Sequence, residues 1–374
     1  MTERETRRRR RRRASISTVG LALLLTACGP DNSQNTLRPA GRSAQKILDL
    51  FTWPFWVGVV IGVLVIGATI FAAIRFRARP GNENPRQIHG STPLEIGWTI
   101  VPLLILVVLA VPTVATIWDL AKEPKGDVLN IRVVGKQWWW EFQYPKQKIV
   151  TADEFHIPAG RKVRLQLTAC DPSLGSGPGL CNVIHSFWIP ALAGKQDVVP
   201  GRTQWLAIQA FRDQAGKTFL GQCAEYCGLS HARMRLRVHV DSPIVFDDWV
   251  ASQQQSPPAL ADSESRGAKL LGTYGCVTCH SVDDPSKDSY GPNLAHLASR
   301  ENFASDAYVL NKENLVNWIL DAPSMVPMET KGCPRAQKPG CVGMPSFTKN
   351  LAPGDKPMPK ADAEAIADYL LKQR

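Results

Sequence analysis

The segment Cys223-Ala224-Glu225-Tyr226-Cys227-Gly228-Leu229-Ser230-His231-Ala232-Arg233-Met234 carries the densest chemistry of the chain. Two thiols, an imidazole and a thioether fall within it, and a second imidazole, His185, lies in the earlier segment His185-Ser186-Phe187-Trp188. Two Cys and two His alone make an acceptable tetrahedral zinc site. A thioether beside two thiolates favours copper, because both are soft ligands. Two thiolates that bridge two copper ions, each capped by a His and a weak ligand, would use every one of these groups.

Short alternating segments surround this motif and predict an antiparallel β-sandwich or barrel over residues 127–250. Residues 163–167 and 234–240 alternate apolar and polar side chains with a period of two. Turn signals such as Pro158-Ala159-Gly160 separate these segments. The polar run Gln253-Gln254-Gln255-Ser256-Pro257-Pro258 predicts a linker over residues 251–262.

Two apolar runs without a charge precede this domain, within residues 28–122. They cover residues 53–74 and 96–118, and they predict helices at about 50–75 and 95–118. At about 1.5 Å per residue, either helix spans a hydrocarbon layer of ~30 Å. The loop between them contains Arg75, Arg77, Arg79 and Arg86. Positive charge favours the cytoplasm, so we expect everything after the hairpin to lie on the outer face of a bacterial plasma membrane.

Residues 1–27 have the layout of a signal peptide. Eight Arg and two Glu give this stretch +6 of the formal net charge of +11, and the apolar run that follows them is too short to span a bilayer. It ends in Leu25-Thr26-Ala27-Cys28-Gly29, which resembles a lipobox in which Cys28 is lipidated; the alternative is an ordinary cleaved signal with Cys28 an incidental thiol. Because the basicity is largely in this leader, we do not expect nucleic-acid binding.

The segment Gly275-Cys276-Val277-Thr278-Cys279-His280 is a c-type haem attachment pattern. Cys276 and Cys279 would form thioethers to the porphyrin, and His280 would be the proximal iron ligand. A redox dithiol is the alternative, but it calls for a βαβ context that this region lacks. The helical pattern of residues 263–374 predicts an all-α class I cytochrome c domain.

Residues 51–240 resemble subunit II of cytochrome c oxidase, with its membrane hairpin and a cupredoxin-like domain that holds a dinuclear copper centre, CuA. The resemblance implies that Cys223 and Cys227 bridge the coppers and that His185 and His231 each ligate one. Met234 and the Glu225 carbonyl would be the weak axial ligands, and the Glu225 carboxylate would reach a Mg²⁺ shared with subunit I. Both thiols and both imidazoles are present, which excludes the quinol-oxidising relatives that have lost CuA.

The same resemblance assigns roles to Trp138 and Glu95. The run Gln137-Trp138-Trp139-Trp140-Glu141-Phe142 is similar to the family's aromatic patch, in which the first Trp conducts electrons to CuA; the alternative is a packing cluster. Because a strand alternates its faces, we expect one side of the run to be exposed, with Trp138 on it. Glu95 would guard the entrance of a proton channel in subunit I, unless it is an ordinary interfacial carboxylate.

The distal haem ligand is expected to be a Met, because a thioether raises the haem potential as an electron carrier requires. The candidates are Met325, Met328, Met344 and Met358. Met344, in Gly343-Met344-Pro345, best matches the family's Met-Pro segment, and Met358 is the runner-up.

Four further cysteines form two local pairs. Cys170 and Cys181 bracket a Gly/Pro-rich loop before His185, and Cys333 and Cys341 bracket an insertion before Met344. Outside the cytoplasm both pairs are expected to oxidise to disulfides, and the alternative is separate buried thiols.

The sequence therefore predicts a multidomain electron-transfer subunit. Electrons would pass from a cytochrome c or a quinol:cytochrome c reductase to the haem, then to CuA, and on to subunit I for O₂ reduction coupled to proton pumping. The expected partners are oxidase subunits I and III and membrane lipid. The alternative is a stand-alone membrane-anchored copper and haem carrier lipoprotein, against which the membrane hairpin argues.

Overall fold

A computed structural model describes residues 33–77, 87, 89–169, 183–257, 265–330, 342–349, 351, 354 and 356–374. The predicted leader, Cys28 and the pairs Cys170/Cys181 and Cys333/Cys341 lie outside the described residues. The described chain forms a helical hairpin, a β-sandwich and a small helical domain, in that order.

The hairpin consists of α1 (Arg42–Arg75) and α2 (Thr92–Leu120). Both helices are long and apolar enough to cross a membrane. Helix α1 begins before the predicted start near residue 50, because its polar first turns pack on the sandwich. There the Ala44 amide donates to the carbonyl of Leu192, and the Ser43 hydroxyl donates to the carbonyl of Ala207. An ion pair between Lys46 and Asp119 joins the outer ends of the two helices.

The described residues of the sandwich form ten strands, in two five-stranded sheets with the orders β3-β2-β1-β5-β8 and β4-β10-β9-β6-β7. The strands are β1 (Val128–Lys136), β2 (Trp139–Tyr144), β3 (Ile149–Ala152), β4 (Glu154–Pro158), β5 (Lys162–Thr168), β6 (His185–Trp188), β7 (Gln196–Val198), β8 (Gln204–Ile208), β9 (Lys217–Cys223) and β10 (Arg235–Asp241).

The sheets are mixed rather than purely antiparallel. Strand β5 pairs parallel with β1, and β10 pairs parallel with β4, while the other described pairs of the sandwich are antiparallel. The chain leaves the first sheet after β3, passes through β4 in the second sheet, and returns as β5 in the direction of β1. That crossover is why alternation alone did not reveal the parallel pairs.

Period-two patterning places the core between the sheets. On β10, the side chains of Leu236, Val238 and Val240 are buried while Arg235 is exposed. Aromatic rings fill the centre, and the rings of Phe142 and Phe155 stack with centroids 4.3 Å apart.

The third unit begins after α3 (Pro243–Gln253), whose last turn occupies the start of the predicted linker. It contains α4 (Arg266–Thr273), the two-residue strands β11 (Asn302–Phe303) and β12 (Tyr308–Val309), α5 (Lys312–Met325) and α6 (Lys360–Leu370). Its core is separate from that of the sandwich and includes Leu315, Ile319, Ile366 and Leu370.

Candidate copper centre and haem crevice

The predicted copper ligands converge at one end of the second sheet. Cys223 ends β9, His185 begins β6, and Met234 directly precedes β10. The Sγ atoms of Cys223 and Cys227 are 3.8 Å apart. The Nδ1 atom of His185 is 3.8 Å from Cys223 Sγ, and that of His231 is 3.6 Å from Cys227 Sγ.

The two weak ligands complete the cluster. Met234 Sδ is 3.8 Å from Cys227 Sγ, and the carbonyl oxygen of Glu225 is 3.2 Å from Cys223 Sγ. The structure therefore brings together all six residues predicted for this site. Two soft thiols, two imidazoles and a thioether in contact form a donor set that fits a pair of copper ions.

A glycine allows His185 to reach the cluster. A Cβ on Gly135 of β1 would lie 2.9 Å from Cδ2 of His185, closer than carbon atoms approach. The ring of Trp140 packs edge-on against the His185 imidazole, with centroids 5.8 Å apart. The neighbouring strands therefore hold the imidazole in one position.

The thiols of Cys223 and Cys227 have pKa values shifted in opposite directions. The pKa of Cys223 is lowered to about 3, first by its hydrogen bond with Cys227, while the pKa of Cys227 is raised by the same contact and by burial. Binding of a metal by both sulfurs would release the protons that the thiols carry.

The carboxylate of Glu225, unlike its carbonyl, points outward. The residue is exposed, and Glu225 Oε1 accepts a hydrogen bond from the Tyr226 amide at 3.3 Å. The side chain is therefore accessible to a ligand or partner outside the sandwich.

The haem attachment segment lines a mostly apolar cavity in the helical domain. Cys276, Cys279 and His280 all border it. The His280 Nδ1–H donates to the carbonyl of Pro292 at 2.7 Å, which leaves Nε2 as the free ligand nitrogen. Burial lowers the pKa of His280, which favours the neutral, ligating form.

A second glycine keeps this crevice open. A Cβ on Gly291 would lie 2.5 Å from Cε1 of His280. The apolar walls come from the helical domain and include Leu271, Leu294, Phe303, Trp318, Ile319 and Phe347. Paired thiols, an oriented imidazole and these walls fit a covalently attached haem.

The candidate methionines differ in whether they line the haem cavity. Met344 and Met328 line the cavity, and the Met344 amide donates to Met328 Sδ at 3.2 Å. Met358 is 3 % exposed and lies in the apolar core of the domain, outside the residues found to line the cavity. The geometry favours Met344 over Met358 and adds Met328 beside it.

Trp138 lies between the two sites. Its indole Nε1–H donates to the carbonyl of Cys227 at 2.9 Å, and the same side chain borders the haem cavity. The expectation that Trp138 is exposed was wrong, since only 6 % of it is accessible. The helical domain covers it, and the Ser305 hydroxyl donates to its backbone carbonyl. Trp139 is the half-buried member of the run, with its ring under the Lys136 ammonium.

Several contacts between the two domains could not be found in the sequence. The Ser230 hydroxyl donates to the carbonyl of Pro327, and an Arg233 guanidinium N–H donates to the carbonyl of Met325 at 2.6 Å. Both donors flank the candidate copper ligand His231, and both acceptors precede the cavity residue Met328. Isolated polar residues of this kind carry no motif, because their partners lie more than ninety positions away in the chain.

Glu95 lies in the first turn of α2, and its side chain is exposed. A carboxylate there is favoured by the positive end of the helix dipole. Among the described residues it is remote from the copper cluster and the haem cavity, so any role in proton entry depends on a partner protein.

Comparison with known proteins agrees with this architecture. Residues 32–116 match the transmembrane domain of cytochrome c oxidase subunit II, residues 129–241 its periplasmic domain, and residues 264–374 match cytochrome c.

Full-length relatives match the same arrangement. Cytochrome c oxidase subunit 2 of Alkalihalophilus pseudofirmus is 33 % identical over 94 % of this chain and 94 % of its own. That of Bacillus sp. (strain PS3) is 37 % identical over 82 % of this chain and 87 % of its own. A crystal structure of the periplasmic domain of subunit II of cytochrome oxidase from Bradyrhizobium japonicum covers 34 % of this chain and 94 % of its own, at 30 % identity and a TM-score of 0.29. The chain therefore belongs to the cytochrome c oxidase subunit II family, and it carries a cytochrome c domain behind the periplasmic domain.

Proposed function

We propose that this chain carries electrons from its own c-type haem to a dinuclear copper centre and from there to subunit I of a haem–copper oxidase. Cys276 and Cys279 would hold the haem, with His280 and Met344 as axial ligands. His185, Cys223, Cys227, His231, Met234 and the Glu225 carbonyl would hold the copper pair. When bound, both groups exchange single electrons, which is the chemistry that the route requires.

The position of Trp138 is the observation that carries this proposal. One side chain contacts the haem cavity and donates a hydrogen bond to the backbone of a copper ligand. A continuous path of packed and hydrogen-bonded atoms therefore joins the two cofactor sites within one chain. Trp138 would act as the internal conductor of this path.

Burial of Trp138 also supports an entry point for an external donor that is away from this residue. The helical domain covers Trp138, so a soluble donor cannot dock over it. Val277, inside the attachment motif, is exposed. We therefore place the entry point for a cytochrome c or a quinol:cytochrome c reductase at the outer surface of the helical domain, near the attachment segment.

The remaining roles depend on partner proteins. The exposed Glu225 carboxylate would contribute to a Mg²⁺ site shared with subunit I, because hard carboxylate oxygens suit this ion. Glu95 would lie at the entrance of a proton channel in subunit I. The helices α1 and α2 would cross the plasma membrane with both outer domains on the external face, alongside subunits I and III, and Cys28 would add a lipid anchor.

Affinity purification of the tagged chain from detergent-solubilised membranes of its native host tests this function. We expect a large membrane partner with non-covalent haem to copurify, and metal analysis to give two Cu and one covalent haem iron for this chain. Purification of a copper- and haem-loaded chain with no membrane partner would instead identify a stand-alone carrier. Zinc in place of copper would contradict the copper assignment.

A further inference from the structure

A buried ion pair on the first sheet of the sandwich reaches the haem cavity. The Lys136 Nζ atom is 2.7 Å from Glu141 Oε2, and the two side chains are 2 % and 0 % exposed. Glu141 on β2 is the register partner of Val134 on β1, and Lys136 lies two positions farther along β1. The two charged side chains therefore share one face of the sheet and meet diagonally across the strands.

One member of the pair lines the cavity and the other does not. Lys136 is among the lining residues, whereas Glu141 is not. The Lys136 ammonium donates to the carbonyl of Ser289 in the helical domain at 2.7 Å, and it lies 4.7 Å from the centroid of the Trp139 ring. Gln143 Nε2 donates to Glu141 Oε1 at 2.7 Å. These contacts hold the pair with its positive end toward the cavity.

Stability alone does not explain a buried pair of this kind. Moving two charges from water into a protein costs about as much free energy as their attraction returns, so well-packed apolar residues often serve stability equally well. The field of a buried charge is, however, only weakly screened by solvent and salt. An ion pair oriented at the wall of a cofactor cavity therefore acts most effectively on the charge of the cofactor.

The other ionisable groups of the cavity wall leave this field in place. Asp153 and Arg300 also line the cavity, and they are buried, oppositely charged and attract one another. The candidate ligand His280 is favoured in its neutral form, because burial lowers its pKa. Among the described lining residues, Lys136 is therefore the charge whose partner lies outside the cavity wall.

We propose that Lys136, a residue of the copper-binding domain, raises the reduction potential of the haem held by the neighbouring domain. The inference rests on the proposed function. When one electron from the external donor converts Fe(III) to Fe(II), the iron loses one positive charge, and a nearby ammonium favours the less positive state. The haem thereby becomes a better acceptor for the donor. Lys136 acts through its field and is not a ligand.

Redox titration of the full chain in detergent, with copper and haem loaded and haem absorbance as the signal, tests this role. Lys136→Met/Glu141→Gln removes both charges, keeps side chains of similar size and leaves no unpaired buried charge. It should lower the haem potential. Glu141→Gln alone leaves the ammonium unopposed and keeps its hydrogen bond to Ser289, so it should raise the potential. Shifts of opposite sign are specific to a field, because a loosened contact between the domains would move both variants in the same direction.

Lys312→Met is the matched control, since it removes a positive charge from an exposed pair with Asp368 in the haem domain itself. Solvent and salt screen that charge, so the potential should stay at the parent value. Parental haem and copper spectra in each variant show that both sites are assembled. Parental potentials in both pair variants, or shifts of the same sign, would overturn the role of Lys136 while leaving the proposed function intact. A parent chain without covalent haem would overturn both.

Discussion

At the scale of a single residue, Trp138 lies between the two cofactor sites of the proposed electron path. Its ring borders the haem cavity, and its N–H reaches the Cys227 carbonyl. Trp139, next in the chain, also borders the haem cavity, with its ring under the Lys136 ammonium, but among the described residues no hydrogen bond joins it to a copper ligand. Of the two, Trp138 is the one that bonds to the backbone of a candidate copper ligand, so Trp139 is a matched control for the proposed conductor.

We expect Trp138→Phe to slow electron transfer from haem to copper while the spectra of both centres persist. The substitution keeps a six-membered aromatic ring but removes the pyrrole ring with the N–H that bonds to Cys227. Time-resolved absorbance after rapid reduction of the haem measures the rate. Trp139→Phe should leave the transfer rate unchanged. Equal rates in the parent and both variants would show that Trp138 only packs and does not conduct.

The methionines allow a second prediction at this scale. Met344→Ala should remove the thioether–iron charge-transfer band at the red end of the visible spectrum and lower the haem potential. Met358→Ala should keep the band but lower the free energy of unfolding by about 2–5 kcal/mol, because it leaves a cavity in an apolar core. Visible spectra and thermal unfolding followed by haem absorbance separate the two effects. Loss of the band in Met358→Ala alone would reverse the assignment, and its loss in Met328→Ala alone would move the ligand to Met328.

At the scale of elements, two loops from different domains are tied together. The loop between β9 and β10 carries Cys227 and His231, and its Ser230 and Arg233 bond to the segment that ends α5. That segment continues to Met328, which contacts Met344. The loop that carries the candidate copper ligands Cys227 and His231 is therefore hydrogen-bonded to the segment that leads to Met328 in the wall of the haem cavity.

Removal of this connection should loosen the docking of the two domains. Ser230→Ala leaves the Pro327 carbonyl without its partner and should cost about 1 kcal/mol. Combined with Arg233→Ala, it should slow haem-to-copper transfer and speed proteolysis between the domains. Arg235→Ala, at an exposed arginine on β10, is the control. An unchanged transfer rate in the double variant would show that other contacts fix the distance.

Pairing of α4 with α6 should depend on pH. Asp362, at the start of α6, accepts a hydrogen bond from Tyr274 at 2.7 Å and pairs with Arg266 of α4. The Tyr274 hydroxyl is the larger cause that lowers the pKa of Asp362 below its ordinary 3.8, followed among the lowering contacts by Arg266. A lowered folded-state pKa contributes stability above pH 3.8 and loses it as the pH falls further.

Asp362→Asn should therefore lower the unfolding temperature of the haem domain at pH 7, and the difference from the parent should narrow below pH about 4. Thermal unfolding followed by haem absorbance across this range measures it. Asp368→Asn, which breaks only an exposed pair with Lys312, should have little effect at either pH. A difference that stays constant down to pH 2 would exclude the charge of Asp362 as its cause.

At the scale of the whole molecule, the sequence predicted the features that short segments encode, but it did not predict the contacts between domains. The two membrane helices follow from uninterrupted apolar runs, and the copper cluster follows from ligand types that need one another. The burial of Trp138 depends on Ser305, which is 167 positions away. The early start of α1 depends on hydrogen bonds to carbonyl groups of the sandwich. The apolar pattern of the helix does not predict these bonds.

Rapid photoreduction of the haem in the purified, copper-loaded chain tests the internal electron route most directly. If Trp138 joins the two sites, haem reoxidation and bleaching of the near-infrared copper band should share one rate constant, independent of protein concentration. Copper reduction whose rate rises with protein concentration, or that does not follow haem reduction at all, would contradict transfer within the chain.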